Sequence, residues 1–301
     1  MKKYAKPTKA IIAINWSKTL NCINLLEYFL LVSPPLNKVP IPRIKTIPTA
    51  INKIIDNILT TIPDNIKLLK GVFKIKKHNS HTMTFCLDSV MVKPEANKKI
   101  KNAIILLHGY GGDGKDISML SLNWKRHLPN TIFICPNGHE PCSINPNGYQ
   151  WFDLSKDDPE YILDQSIKAE KKLSKFIDEI KNEFNFENKQ ICLSGFSQGC
   201  MMSINLGLTS EKPFNCVVGF SGKIIDEKDL KLRKKNSSSI LLIHGDSDQV
   251  VSPNFMLEAK DFFMRNNIDI ETHLIKNCDH HIPVNASSIA LNYILKKFNN
   301  S

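Results

Sequence analysis

Short apolar runs alternate with segments of helical periodicity in the C-terminal part of the chain. Each run is continuously apolar, which is typical of strands buried on both faces of a parallel sheet. The runs are "AIILLH" (103–108), "TIFIC" (131–135), "QICLS" (190–194), "CVVGF" (216–220) and "SILLIH" (239–244), with a further strand at about 269–275. Helical periodicity falls at about 117–127, 159–184, 198–208, 253–266 and 284–298. The alternation predicts an α/β fold with a mostly parallel central sheet, helices on both faces and a ligand at the carboxyl ends of the strands.

Residues 1–82 follow a different pattern. Prolines recur between Pro34 and Pro63, and the run "LNKVPIPRIKTIPTA" is incompatible with a regular helix. Isoleucines and a leucine then recur at helical spacing from Ile51 to Leu59, which is compatible with a short amphipathic helix. We expect residues 1–82 to form a basic, poorly ordered extension and residues 83–301, which begin at Met83, to form the catalytic domain.

The net charge of +11 is confined to the N-terminal part of the chain. The first 80 residues carry 14 Lys/Arg against 3 Asp/Glu, whereas the remaining residues carry 26 of each. The larger part therefore lacks the basic footprint of a nucleic-acid-binding protein, and only residues 1–82 could make peripheral contact with an anionic membrane. No apolar run is long enough to predict a spanning helix, and the scattered cysteines are typical of a cytoplasmic protein. The sequence gives no indication of the oligomeric state.

The segment "GFSQG", residues 195–199, follows a predicted strand and precedes a predicted helix. G-x-S-x-G in this context is a nucleophile elbow, in which a tight turn exposes the serine at the end of the sheet. The positions two before and two after the serine must be small, and both are glycine. The spacing therefore predicts that Ser197 is a catalytic nucleophile at the N-terminus of a helix.

The segment "GYGGDG", residues 109–114, follows the first of the buried runs. Glycines allow the backbone of such a loop to approach a bound group closely. The loop is expected to supply one amide of an oxyanion hole, the N–H of Tyr110, while the N–H of Gln198 supplies the other. A phosphate-binding loop is the alternative, but the segment lacks both the Lys-Ser/Thr ending and the full G-x-G-x-x-G spacing.

Two further strand ends carry an acid and a base. "GDSDQVV" offers Asp246 and Asp248, and "NCDHHIP" offers His280 and His281. The order serine, aspartate, histidine is that of a hydrolase triad. Asp279 is a poor orienting acid for His280, because an adjacent side chain cannot easily reach the far ring nitrogen. We expect no metal, since the Cys135, His139 and Cys142 set lacks a fourth ligand, and no organic cofactor.

Residues 83–301 resemble the phospholipase/carboxylesterase family of α/β-hydrolases, which includes the acyl-protein thioesterases and bacterial carboxylesterases. The resemblance lies in "LLHGYGGDG", "PNGYQWFDL" (146–154), "LSGFSQG", "HGDSDQVV" and "HHIP". It implies Ser197 as the nucleophile, Asp248 as the triad acid and His280 as the base. It also implies that Trp151 and Phe152 line an acyl pocket, although both could equally be ordinary core residues.

The chain departs from the family at two places near these motifs. Cys278-Asp279 precedes the histidine where the family usually has small residues, and Cys200 follows the elbow where glycine or alanine is common. The resemblance implies a serine hydrolase that acts through an acyl-enzyme on a small acyl ester, a lysophospholipid or an acylated protein. The alternatives are a peptidase or another α/β-hydrolase subclass, and a non-catalytic lipid- or membrane-binding protein built on a hydrolase fold.

Overall fold

The computed structural model describes residues 85–300. The expected N-terminal extension, its amphipathic helix and the boundary at Met83 lie outside the described residues. Within the described part, a seven-stranded sheet has the strand order β1-β3-β2-β6-β7-β8-β9. Its strands are β1 (Ser89–Val92), β2 (Asn102–Leu107), β3 (Thr131–Pro136), β6 (Ile191–Phe196), β7 (Cys216–Phe220), β8 (Ile240–Gly245) and β9 (Ile270–Ile275). A separate short hairpin pairs β4 (Glu140–Pro141) with β5 (Tyr149–Gln150).

Helices connect the strands and lie on both faces of the sheet. Their bounds are α1 (Gly114–Ile117), α2 (Met119–Trp124), α3 (Pro159–Phe184), α4 (Gln198–Thr209), α5 (Glu227–Arg233), α6 (Asn254–Arg265) and α7 (Val284–Asn299). Only β1 runs antiparallel to its neighbour in this sheet, and all its other neighbouring strands pair in parallel. The predicted α/β class with a mostly parallel sheet is confirmed.

Several short elements of the described residues were not expected from the sequence pattern, and one predicted helix has a different form. The edge strand β1 is short and only half-buried, so its four residues carry no continuous apolar signal. The β4–β5 hairpin has two-residue strands, and α5 spans only seven residues. The helix expected at about 117–127 is instead the pair α1 and α2, because the chain turns at Ser118 between them.

The central strands are buried because apolar layers cover both of their faces. On one face, residues such as Ile105 and Leu193 belong to one buried apolar layer with Leu173 and Phe176 of α3 and Met202 of α4. On the other face, Ile104 and Leu106 belong to a second apolar layer, which includes residues of α2 and α7 such as Trp124, Ala290 and Ile294. This two-sided packing fixes the strand ends, and the loops that follow them meet at one edge of the sheet.

The longest helix has a clear start and end in the sequence. Asp158 caps the N-terminus of α3 by accepting hydrogen bonds from the backbone N–H groups of Glu160 and Tyr161, and Pro159 occupies the first turn. Asn185 ends the helix in the left-handed conformation, with φ of 53°. Within residues 85–300, no helix combines the length and the apolar character needed to cross a lipid bilayer.

Candidate active site

Ser197 lies at the turn between β6 and α4, at the carboxyl edge of the sheet. Its backbone has φ of 53° and ψ of −117°, a conformation that residues other than glycine seldom adopt. The two flanking glycines make this turn possible. A Cβ atom at Gly195 would lie 2.2 Å from the carbonyl oxygen of Gly199, and one at Gly199 would lie 2.2 Å from that of Leu107. The sequence therefore forms a strained elbow that places the Ser197 hydroxyl at the N-terminus of a helix.

Three side chains that are distant in sequence lie in hydrogen-bond contact. The Oγ atom of Ser197 is 2.9 Å from Nε2 of His280, and Nδ1 of His280 is 2.7 Å from Oδ2 of Asp248. An ionised carboxylate can only accept, so the Nδ1 proton of His280 is donated to Asp248. The Nε2 atom is then left to accept a hydrogen bond from the Ser197 hydroxyl, which is the arrangement that a proton-accepting base requires.

Asp248 is buried, and its carboxylate has several hydrogen-bond partners. Its Oδ1 atom accepts from the backbone N–H groups of Val250 and Val251, each at 2.9 Å. Burial alone would raise the pKa of Asp248, but the hydrogen bonds from His280, Val251 and Val250 outweigh it and lower that pKa below its ordinary value. Asp248 is therefore held as a carboxylate beside His280.

The other acidic and basic residues of these two loops have separate partners. Asp246 is exposed, and its Oδ1 atom accepts from the backbone N–H of Cys278 at 3.4 Å, which connects the loop after β8 to the loop of His280. Asp279 is in hydrogen-bond contact with Nδ1 of His281. Among the described residues, neither Asp246 nor Asp279 contacts the ring of His280. The geometry thus distinguishes Asp248 from Asp246, and His280 from His281.

The loop after β2 approaches the elbow closely. A Cβ atom at Gly109 would lie 3.3 Å from Cβ of Ser197 and 3.0 Å from a ring carbon of Phe196. Among residues 85–300, the backbone N–H groups of Tyr110 and Gln198 have no protein acceptor. Two unpaired amides near a serine are what a developing oxyanion needs, and their role as an oxyanion hole remains a prediction.

The β4–β5 hairpin holds this loop in place. The N–H of Gly111 donates to the carbonyl of Tyr149 at 2.9 Å, and the N–H of Tyr149 donates to the carbonyl of Gly112 at 2.8 Å. The side-chain amide of Asn145 donates to the carbonyl of Gly111 at 2.7 Å. A Cβ atom at Gly148 would lie only 2.0 Å from that same carbonyl oxygen. The position of the loop therefore depends on a hairpin that is remote from it in sequence.

Trp151 and Phe152 are both almost completely buried and belong to the apolar layer that contains α3. Their backbones also hold the side chain of Gln198, the residue after the nucleophile. The side-chain Oε1 of Gln198 accepts from the N–H of Trp151 at 2.8 Å, and its Nε2 donates to the carbonyl of Phe152 at 2.6 Å. The two aromatic residues therefore contact the elbow, while their expected part in an acyl pocket remains a prediction.

The cysteines near the site are poorly suited to act as nucleophiles. Cys200 is fully buried, and burial raises its pKa to about 12. Its thiol occupies space left by Gly219 and Gly222, where a Cβ atom would lie 2.3 Å and 2.5 Å from Cys200 Sγ. Burial is the main cause that raises the pKa of the Cys278 thiol, and the charges of neighbouring acidic side chains add to it. Among the described residues, no group of three or more His, Cys, Asp or Glu side chains is placed to hold a metal ion.

Two buried histidines beside the site were not singled out from the sequence. His108 follows β2, where its Nδ1 atom is 2.7 Å from the carbonyl oxygen of Gly109. His244 lies near the end of β8, where its Nε2 atom is 2.8 Å from the carbonyl oxygen of Val251 and 3.2 Å from Oδ2 of Asp248. Burial lowers the pKa of both histidines. In the sequence, each histidine is followed by glycine at the end of an apolar run, and we interpreted it only as the last residue of that run.

A strained serine at a strand-to-helix turn, a histidine and a buried carboxylate at other strand ends define an α/β-hydrolase site of the serine type. A family model described as phospholipase/carboxylesterase matches residues 89–297. The chain belongs to the phospholipase/carboxylesterase family and is, by class, a carboxylic ester hydrolase.

Individual relatives agree with this family. Acyl-protein thioesterase 1 of Schizosaccharomyces pombe is 28% identical over 202 residues, which cover 63% of this chain and 86% of that protein. The esterase YpfH of Escherichia coli is 23% identical over 205 residues, covering 66% of this chain and 84% of the esterase. The crystal structure of esterase PE8 is 31% identical and superposes with a TM-score of 0.67, covering 70% of this chain and 98% of the esterase. The predicted resemblance is confirmed.

Proposed function

We propose that this protein hydrolyses carboxylic acyl esters or thioesters through a covalent acyl-enzyme formed on Ser197. The observation that carries the proposal is the continuous hydrogen-bond connection from Ser197 through His280 to Asp248, at 2.9 Å and 2.7 Å. Each atom in the connection has the donor or acceptor character that proton transfer from the hydroxyl requires. No metal or organic cofactor takes part in the proposed reaction.

In the acylation step, Oγ of Ser197 attacks the acyl carbonyl carbon, and His280 Nε2 takes the hydroxyl proton. The negative charge that develops on the carbonyl oxygen is stabilised by the N–H groups of Tyr110 and Gln198. When the tetrahedral intermediate collapses, the bond to the alcohol or thiol breaks and His280 donates its proton to the leaving group. Asp248 stabilises the imidazolium form and keeps the ring in its productive orientation.

In the deacylation step, a water molecule takes the place of the leaving group. His280 Nε2 removes a proton from the water, and the resulting hydroxide attacks the acyl carbonyl carbon. The second tetrahedral intermediate collapses by breaking its bond to Ser197 Oγ, which recovers the proton from His280. The products are a carboxylic acid and the regenerated enzyme.

The proposed substrates are a small acyl ester, a lysophospholipid or an acylated protein. All three present the same acyl carbonyl to Ser197 and differ only in the leaving group. The family membership and the acyl-protein thioesterase relatives support this substrate class. We also propose that Trp151 and Phe152 help to shape the region that receives the acyl chain, since they contact the elbow through Gln198.

The test is to substitute Ser197→Ala and to measure the hydrolysis of p-nitrophenyl esters of increasing acyl-chain length. We expect turnover to be lost while the unfolding temperature changes little, because the substitution removes one hydroxyl oxygen. A panel of acyl thioesters, lysophospholipids and aminoacyl substrates then separates the esterase and thioesterase functions from a peptidase. A Ser197→Ala variant with near wild-type turnover would refute the proposal.

A further inference from the structure

His108 is a buried imidazole with partners on both ring nitrogens. Its Nε2 atom is 2.8 Å from the backbone nitrogen of Gly138, and its Nδ1 atom is 2.7 Å from the carbonyl oxygen of Gly109. The Gly138 N–H can only donate, so Nε2 must be an acceptor without a proton. The proton of the neutral ring is therefore on Nδ1, which donates it to Gly109. The two backbone partners together assign one tautomer to His108.

The surroundings of His108 favour this neutral form. Burial lowers the pKa of His108, while the Gly109 hydrogen bond and the charges of Asp113 and Asp116 act in the opposite direction and do not outweigh it. The ring also stacks on Trp151, with 5.2 Å between the ring centroids. The indole Nε1 of Trp151 donates to the carbonyl of His108 at 2.9 Å. Packing and hydrogen bonding thus restrict both the ring and its backbone.

The carbonyl that His108 binds belongs to a particular peptide unit. The oxygen of Gly109 and the N–H of Tyr110 are the two ends of the same planar peptide group. A second donor, the N–H of Gly112, reaches that oxygen at 3.0 Å. Two donors on the oxygen fix the plane of the peptide, and each polarises the N–H at the opposite end. The same loop lies against the elbow, since a Cβ atom at Gly109 would lie 3.3 Å from Cβ of Ser197.

We propose that His108 is a positioning residue of the oxyanion hole, whose Nδ1–H holds the Gly109–Tyr110 peptide so that the Tyr110 N–H faces the developing oxyanion. The inference rests on the proposed function, which uses that N–H as an oxyanion donor. His108 touches no reacting atom and acts through the peptide alone. Because the oxyanion exists only in the transition state and the tetrahedral intermediate, losing His108 affects turnover more than substrate binding.

Two substitutions at the same position test this role. His108→Phe keeps a ring that can stack on Trp151 but removes both nitrogens. His108→Asn places an amide N–H close to the former position of Nδ1. We expect His108→Phe to lower kcat by about 10- to 100-fold with KM changed by less than about 3-fold, since a misplaced oxyanion donor costs transition-state stabilisation. We expect His108→Asn to recover at least about 5-fold of that loss, because it restores the donor.

A control variant separates positioning from general loss of stability. Trp124→Phe also removes one buried hydrogen bond, the 2.9 Å contact from Trp124 Nε1 to Ser287 Oγ, but it lies in the apolar layer that includes α7. We expect this control to lower the unfolding temperature and to leave kcat within about 2-fold of the wild type. If the two Phe variants lose kcat to the same extent, the proposed role of His108 is overturned.

Other outcomes also decide the question. The proposal fails if His108→Phe keeps wild-type kcat, if its loss lies mainly in KM, or if His108→Asn is no faster than His108→Phe. Should His108→Phe not fold, His108→Asn is compared with His108→Gln, whose amide lies near Nε2 instead, and the proposal requires the Asn variant to be faster. An active Ser197→Ala variant would instead refute the proposed function, so the two failures are distinguishable.

Discussion

The two sides of the candidate site each contain a strand that leads into a His-Gly pair, and the two histidines have different partners. "LLHG" spans the end of β2 and the two residues after it, and "LIHG" is the end of β8, so each side has a buried histidine followed by glycine. On the oxyanion side, His108 uses Nδ1 to bind the carbonyl of its neighbour Gly109. On the acid–base side, His244 uses Nε2, which contacts the carbonyl of Val251 and lies 3.2 Å from Asp248.

The difference shows that the role of each histidine depends on the groups that the fold places beside it, and not on the His-Gly pair in the local sequence. The acid–base side uses side chains, and His280 retains 17% exposure of its side chain. The oxyanion side uses backbone N–H groups, which the β4–β5 hairpin holds through hydrogen bonds to the loop. Substitutions on the acid–base side should therefore remove the proton transfer and nearly abolish kcat. Substitutions on the oxyanion side should lower kcat only partly.

The largest effect is expected at His280, on the acid–base side. Among residues 85–300, His280 is the only residue whose side chain hydrogen-bonds to the Ser197 hydroxyl, so His280→Ala should lower kcat by about 10⁴-fold or more. His281→Ala is the matched control, because His281 is exposed and its ring contacts Asp279 and not Ser197 or Asp248. Steady-state kinetics with a p-nitrophenyl ester should show less than about a 3-fold change for the control. A larger loss in His281→Ala than in His280→Ala would reverse the assignment.

A somewhat smaller loss is expected at Asp248. Asp248→Asn keeps the size of the side chain but replaces the carboxylate that accepts the Nδ1 proton of His280, so kcat should fall by about 10³- to 10⁴-fold. Asp246→Asn serves as the comparison, since the Asp246 carboxylate contacts Ser247 and the backbone of Cys278 instead of His280. Equal losses in the two variants would show that the loop, and not the carboxylate of Asp248, is what matters.

A moderate effect is expected when the oxyanion side is displaced. Gly148→Ala would place a Cβ atom 2.0 Å from the carbonyl oxygen of Gly111, so the hairpin or the loop must move. We expect kcat to fall by about 10-fold and the free energy of unfolding to fall by about 1–3 kcal/mol. Asn147→Ala on the same hairpin is the control, because Asn147 is exposed. Wild-type kcat in Gly148→Ala would show that the hairpin does not position the loop for catalysis.

The smallest effect concerns stability and pH. Burial lowers the pKa of His244 below its ordinary value of 6.5, so the unfolded chain binds more protons than the folded one as the pH falls through that value. The free energy of unfolding should therefore decrease on acidification from about pH 7 to about pH 5.5, with His108 acting in the same direction.

His244→Gln tests this contribution, because its amide can donate near the former Nε2 position and cannot titrate. Urea unfolding at the two pH values should show a weaker pH dependence for this variant than for the wild type. His127→Gln, at an exposed position, should keep the wild-type dependence. An unchanged pH dependence in His244→Gln would contradict the assignment of His244 as a buried neutral imidazole.

The sequence predicted the parts of the fold whose signal is local. Continuous apolar runs identified five of the strands, from β2 to β8, and the two glycines around Ser197 identified the elbow. The strand β9 was expected at about 269–275 without such a run. The half-buried β1 and the two-residue strands of the hairpin carry too little periodicity to be recognised.

Contacts between distant segments could not be predicted in the same way. Gly148 lies close to the carbonyl of Gly111, and the Gly138 N–H donates a hydrogen bond to His108. Both contacts depend on how loops that are distant in sequence come together. The sequence placed the acid and the base at strand ends, but it left two aspartates and two histidines as candidates until the family resemblance was used. The distances from His280 to Asp248 and to Ser197 provide an independent physical distinction between them.

The central claim is that Ser197 forms a covalent acyl-enzyme, and covalent labelling tests it most directly. The wild-type chain is treated with a fluorophosphonate and, in a separate rapid-quench experiment, with a p-nitrophenyl acyl ester. Peptide mass spectrometry then locates the added mass. The account predicts both adducts on Ser197 and neither in Ser197→Ala, with slower labelling in His280→Ala. An adduct on another residue, or rapid turnover without any adduct on Ser197, would contradict it.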